Sequence, residues 1–175
     1  RSRQLVGHAL GFAALGKPRF GLVAHPRDAD PTRPPMVVFV HGTSRDDKRW
    51  PDEHWVALGR GVLAAGWRIG LAWGNEAEHT RAELMAADLQ FQLDPLVEVW
   101  PAMALDKLVD RIAEARGVIG VDSGLSHIAV ALNLPHVQIY RFPTAWRTGP
   151  LPAHGHRHQV SVEAQPLPSV DAVWQ

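Results

Sequence analysis

The stretch "HGTSRDDKRW", residues 41–50, crowds hydroxyls and charges into a short segment between the apolar run "MVVFV" and the helical pattern "PDEHWVALGRGVLAAG". Gly42 lets the backbone turn sharply or approach a ligand closely. Thr43 and Ser44 bring hydroxyls and Lys48 a compact cation, while Pro51 opens a helix carrying Asp52 and Glu53 in its first turn. A helix amino end with hydroxyls and a cation beside it can hold an anion. The Walker spacing G-x-x-x-x-G-K-[ST] is absent. The same residues also fit a plain turn, with Ser44 or Asp47 as its cap and Lys48 in solvent.

A second candidate is "VDSGLSH", residues 121–127. A buried strand that ends in Asp122-Ser123-Gly124 and runs straight into a helix offers the amides of Ser123, Gly124 and Leu125 to a phosphate or sugar oxygen. His127, one turn on, adds a donor. The alternative makes Asp122 a helix cap and His127 a core imidazole. A third, "WGNEAEHTRAEL" (73–84), sets Glu76 and Glu78 just past a strand end. A carboxylate there can accept from ribose hydroxyls in a doubly wound fold, or simply favour a helix start.

Two further patterns carry less. "HGHRH" puts His154, His156 and His158 on one face if extended, but prolines surround it and no carboxylate completes a metal set, so no metal is expected. Gly120-Val-Asp-Ser-Gly124 has the wrong spacing for the G-x-S-x-G elbow of serine hydrolases.

The elements that must position these loops alternate in type. Apolar, β-rich runs at 36–40, 68–73, 96–100, 117–121 and 136–140 predict strands, each of the first four followed by helical periodicity. "HQVSV" (158–162) predicts one more strand at an edge. Strands apolar on both faces with helices between them imply a Rossmann-like α/β fold, a parallel sheet covered on both sides. Right-handed crossovers then place the loops after the strands at the carboxyl edge of the sheet, where such folds bind ligands. Residues 24–35, rich in proline and charge, read as a connector.

Composition sets outer bounds. A chain of 175 residues builds one substantial core and is too short for two comfortable domains. Lys plus Arg equals Asp plus Glu at 18 each, so no global field favours nucleic acid or an anionic membrane, and an anion site must be local. With no cysteine, disulfide frameworks and thiolate metal sites are excluded, which is compatible with a reducing cytoplasm. No apolar run approaches the ~20 residues of a membrane span, and "RSRQLVGHALGF" shows no signal-peptide cleavage pattern. The first residue is Arg1 rather than methionine, which suggests a piece of a longer polypeptide. Seven tryptophans cluster at strand ends and helix starts, where a ring can pack while its N–H finds a partner.

Taken in order, "HGTSRDDKRWPDEHW", "WGNEAEHTRA" and "GVIGVDSGLSHIAVAL" closely resemble the C-terminal half of bacterial lipopolysaccharide heptosyltransferases, nearest to those that add the first heptose of the inner core. The resemblance runs from about residue 36 to 140 and weakens outward. It implies a GT-B glycosyltransferase, two Rossmann-like domains facing across a cleft. Residues 36–175 would form the domain that binds the donor, ADP-L-glycero-β-D-manno-heptose, and residues 1–35 the helix and connector joining the halves. The acceptor, Kdo-modified lipid A at the cytoplasmic face of the inner membrane, would be held by the other domain. The implied enzyme is cytoplasmic, peripheral to that membrane and monomeric, inverts the anomeric centre, needs no cofactor or tightly held metal, and does not bind nucleic acid.

Residue by residue, the resemblance places Thr43, Ser44 and Lys48 at the diphosphate and Glu78 at the adenosine ribose. Asp122, Ser123, Gly124 and His127 fall on the motif that contacts heptose and phosphates. Lys48 would stabilise the leaving group, and the base would be an aspartate of the other domain, leaving this chain alone inactive in transfer. The family's "G-P-T-D-P" after the last strand is "RFPTAWRTGP" here, with Arg141 and Phe142 in place of glycine. Two other functions fit the same loops: a GT-B domain for another nucleotide sugar such as a UDP-sugar, and a nucleotide-binding module without catalysis.

Overall fold

β-Branched and aromatic runs supply the strands. The computed structural model describes residues 2–13, 20–28, 30–89, 96–150 and 158–175. Its strands are β1 (Met36–Val40), β2 (Arg68–Ala72), β3 (Val97–Val99), β4 (Gly117–Val121), β5 (His136–Tyr140) and β6 (Gln159–Glu163). They form one sheet in the order β3-β2-β1-β4-β5-β6, with every neighbouring pair parallel. The chain moves outward one way from β1 to β3, then returns to lay β4 against the other side of β1. That reversal is the topological switch point of a doubly wound sheet, beside which such folds bind ligands.

The helices are α1 (Ser2–Leu10), α2 (Asp52–Ala64), α3 (Glu76–Leu89), α4 (Leu105–Ala113), α5 (Gly124–Ala131), α6 (Ala145–Thr148) and α7 (Val170–Trp174). Alternation along β1 divides the core. Phe39 faces a layer with Trp55, Leu58 and Val62 of α2, Met85 of α3 and Val173 of α7. Met36, Val38 and Val40 face the other layer, with Leu108 and Ile112 of α4 and Ala129 of α5. β1 and β4 are apolar on both faces because both faces are covered, whereas β5 buries His136 and Gln138 on one of them.

The connector is tied to the amino edge of the sheet. The amide of His25 donates to Asp110 Oδ1 at 2.7 Å, and Arg68 Nε donates to the Pro34 carbonyl at 3.1 Å. β6 begins one residue later than expected and lies at the edge of the sheet, as expected. His154 and His156 lie outside the described residues. The expectation that the tryptophan N–H groups find partners holds only in part. Trp50 Nε1 donates to the Pro168 carbonyl at 2.8 Å and Trp73 Nε1 to the Trp100 carbonyl at 2.6 Å. Trp55 and Trp100 are buried with no acceptor for their N–H among the described residues. Packing decides there: Trp55 stacks edge-on with Trp50 at 5.1 Å, and Trp100 lies against Gly70 with the Arg111 guanidinium 5.5 Å from its ring centre.

Candidate functional site

β1 and β4 are paired neighbours, so their carboxyl ends release loops 41–50 and 122–127 side by side. After β1 the backbone stays buried through His41, Gly42 and Thr43 before surfacing at Ser44, which is exposed. Thr43 Oγ1 donates to the Asp122 carbonyl at 3.3 Å, a first stitch between the loops. A single 3-10 turn, Asp46–Lys48, then aims Lys48 back across the edge. Its Nζ donates to Asp122 Oδ2 at 2.7 Å, with the Lys48 side chain 23% and that of Asp122 7% exposed. His127 Nε2 stands 3.7 Å from the other oxygen, Oδ1, on a half-exposed side chain. Asp122 is thus a near-buried carboxylate with an ammonium on one side and an imidazole on the other.

This geometry removes the plainer alternatives. Lys48 is not simply solvated, and Asp47 pairs with Arg45. Asp122 does not cap α5: Ser123 occupies that position in extended conformation, makes no side-chain cap bond, and keeps a buried Oγ with no partner among the described residues. His127 faces out rather than into the core. The first amides of α5 have no intrahelical carbonyl to reach. Nothing lies within 4 Å of where a side chain would begin at Gly124, so that helix end is open to approach. The buried Ser126 Oγ donates to the Val121 carbonyl at 2.6 Å and holds α5 onto the end of β4.

The third loop joins from the β2 side. Glu78 Oε2 accepts from the Gly74 amide at 2.8 Å, and the Glu78 amide donates to Asn75 Oδ1 at 3.0 Å. Its carboxylate lies over Gly42, in the space a Cβ there would occupy, so any side chain at 42 would push the carboxylate aside. Glu76 points elsewhere, toward His79 at 3.6 Å. Thr43, Lys48, Glu78, Asp122, Ser123, Gly124 and His127 therefore share the carboxyl edge of β2, β1 and β4, with exposed Ser44 beside them.

Two further residues near this edge were not among the expected site residues. His41, fully buried at the end of β1, has no partner for either ring nitrogen among the described residues. Burial, helped by the charge of Arg81, lowers its pKa to about 4, so it is neutral at pH 7. Arg141, directly after β5, reaches across the edge to donate from Nη1 to the Arg49 carbonyl at 3.1 Å. With Lys48, Asp122, Tyr140, Phe142 and Thr144 it lines a shallow crevice. Burial pushes the Tyr140 phenol up, so that wall is neutral.

A roomier cleft of about 580 Å³ lies at the amino edge, lined by Arg27, Arg33, Arg68, Arg111 and Arg116 together with Asp28, Asp30 and Glu114. Its arginines are largely matched: Arg68 and Arg111 meet Glu98, and Arg27 and Arg111 meet Glu114. It fastens the connector and is far from the switch point. Among the described residues no group of three or more His, Asp or Glu side chains is placed to hold a metal ion, and no helix is long and apolar enough to cross a membrane.

A six-stranded parallel sheet wound in this order, with its polar loops gathered at the reversal, is a Rossmann-like domain of the kind found in GT-B glycosyltransferases. The chain belongs to glycosyltransferase family 9 (heptosyltransferase), which it matches over residues 1–173. It is 38% identical over 150 residues to lipopolysaccharide heptosyltransferase 1 of Escherichia coli K12, covering 80% of this chain and 43% of that protein. To the Pseudomonas aeruginosa heptosyltransferase 1 it is 35% identical over 144 residues, covering 80% of this chain and 38% of that one. Among solved structures it superimposes on E. coli heptosyltransferase WaaC with ADP at a TM-score of 0.76 and 28% identity, covering 99% of this chain and 53% of that one. WaaC with ADP-2-deoxy-2-fluoro heptose gives 0.72 and 30%, with the same coverage. The chain thus spans about half the length of the relatives it matches.

Proposed function

We propose that this chain is the donor-binding part of an inverting heptosyltransferase that moves L-glycero-D-manno-heptose from ADP-heptose to Kdo-lipid A in inner-core lipopolysaccharide synthesis. The carrying observation is the 2.7 Å contact between Lys48 and Asp122, which draws two distant loops onto one spot at the switch point. Relatives whose structures hold ADP or an ADP-heptose analogue support the choice of ligand.

In this reading Glu78 accepts from the ribose hydroxyls, while Thr43, Ser44, Lys48 and the α5 amides receive the diphosphate. Asp122 and His127 face the heptose, a carboxylate and an imidazole suited to sugar hydroxyls. Lys48 balances Asp122, so the carboxylate does not repel the phosphates beside it. When the bond from the anomeric carbon to the phosphate oxygen breaks, negative charge grows on the departing ADP. Preset amides and Lys48 hold that charge better in the transition state than before it. The acceptor hydroxyl loses its proton to a base, which we assign to an aspartate of a second Rossmann-like half. Residues 36–175 form the donor domain and residues 1–35 join the halves. The whole enzyme works as a monomer, without metal or cofactor, at the cytoplasmic face of the inner membrane.

Calorimetry of this chain with ADP, ADP-heptose and UDP tests the proposal. ADP and ADP-heptose should bind in preference to UDP, and Lys48→Ala and Glu78→Ala should each weaken ADP. A preference for UDP, or ADP binding indifferent to both substitutions, would overturn it. The chain alone should transfer nothing.

A further inference from the structure

The strand order lays the edge out as a line. Glu78 follows β2, Gly42 and Thr43 follow β1, Asp122 follows β4, and Arg141 follows β5. With strands roughly 4.8 Å apart, β2 and β5 are separated by three steps, about 14 Å. A sugar nucleotide with its ribose at Glu78 and its first phosphate at the β1–β4 reversal carries its sugar-side phosphate on toward β5. Arg141 stands there.

Its charge is also less committed than that of Lys48. Lys48 is held by Asp122 at 2.7 Å. Arg141 spends one N–H on the Arg49 carbonyl, has no carboxylate within 4.0 Å among the described residues, and keeps a buried Nε without a partner. The same bond anchors the guanidinium to the loop that carries Lys48, so the two cations border one crevice. A planar fork with free N–H groups suits a phosphate better than a point charge does.

From this line of residues we infer that Arg141 is a phosphate-binding residue for the sugar-side phosphate of the donor, acting beside Lys48. The inference rests on the donor-binding reading above and adds a residue to it. A plain strut that ties Arg141 to Arg49 is the competing role, and the two differ in which ligands feel its loss.

The test measures ADP, AMP and adenosine binding to this chain by calorimetry, with wild type, Arg141→Gln and Arg141→Lys, and thermal melts of each. We expect Arg141→Gln to weaken ADP about tenfold, the size of one charge-assisted contact. AMP and adenosine should shift less than twofold, and Arg141→Lys should recover part of the ADP loss. Equal weakening of all three ligands, or no change in any, would overturn the assignment. Failure of wild type to bind ADP at all would instead sink the donor reading itself. Should Arg141→Gln melt too early to titrate, Arg141→Lys decides alone: a fall in the ADP-to-AMP affinity ratio supports the role and an unchanged ratio rejects it.

Discussion

Lys48 and Asp122 are 74 residues apart in the chain and joined by a 2.7 Å charged hydrogen bond in the fold. Removing one partner of a buried pair costs roughly 3–5 kcal/mol, because a charge is left without compensation. Lys48 retains 23% exposure, so Lys48→Ala should cost less, about 2 kcal/mol, mostly from stranding Asp122. The double variant Lys48→Ala/Asp122→Asn should be more stable than the sum of the single losses predicts. Urea melts of the four proteins measure this coupling; strict additivity would mean the contact holds nothing together.

Gly42→Ala separates site from scaffold. The atoms in the way of a Cβ belong to the end of the Glu78 side chain, which can swing aside. We expect a melting temperature within a few degrees of wild type and a five- to tenfold loss of ADP affinity, about 1–1.4 kcal/mol. Unchanged affinity would argue against Glu78 as a ligand contact.

Gly70→Ala should do the reverse. A Cβ there meets the Trp100 ring at 2.8 Å, and that ring is itself buried. Overpacking of this kind costs about 1–3 kcal/mol. Chemical denaturation should record that loss, with ADP binding at saturating protein stability unchanged.

Acid should destabilise the fold through two buried histidines. Desolvation lowers both His41 and His136 from 6.5 to about 4. Above pH 6.5 both states are neutral and neither residue matters. Between 6.5 and 4 the unfolded chain takes up protons that the fold refuses, so stability falls by up to roughly 1.4 kcal/mol per pH unit for each. Below about 4 the fold protonates too and the slope fades. His136→Leu, away from the switch point, should roughly halve the loss measured by melts between pH 7.5 and 5. An unaltered loss would show that His136 is not held neutral.

How far the sequence led depended on the kind of signal. β1, β2 and β4 were readable because their residues are mostly apolar on both faces, β5 from its Val137, Ile139 and Tyr140, and α2 and α4 because Leu58, Val62, Leu108 and Ile112 recur at helical spacing. The polar loops were legible as candidates because hydroxyls, glycine and charge gather directly after strands. Right-handed crossovers also put them at one sheet edge; the Lys48–Asp122 contact was not legible, since no local pattern states that β4 returns to the far side of β1. Arg141 showed only as a departure from the family's glycine; its reach to Arg49 depends on β5 lying next to β4. The silent N–H groups of Trp55 and Trp100 went unforeseen because ring packing outweighed one unmade bond.

The indole of Trp50 hands its hydrogen to Pro168, and α7 then lies on α2 with Val173 buried and the Trp174 ring against Gly61. Trp50 sits two positions after Lys48, so residues 168–174 work as a latch on the very segment that carries the Lys48–Asp122 contact. Trimming residues 168–175 would therefore loosen that contact from behind.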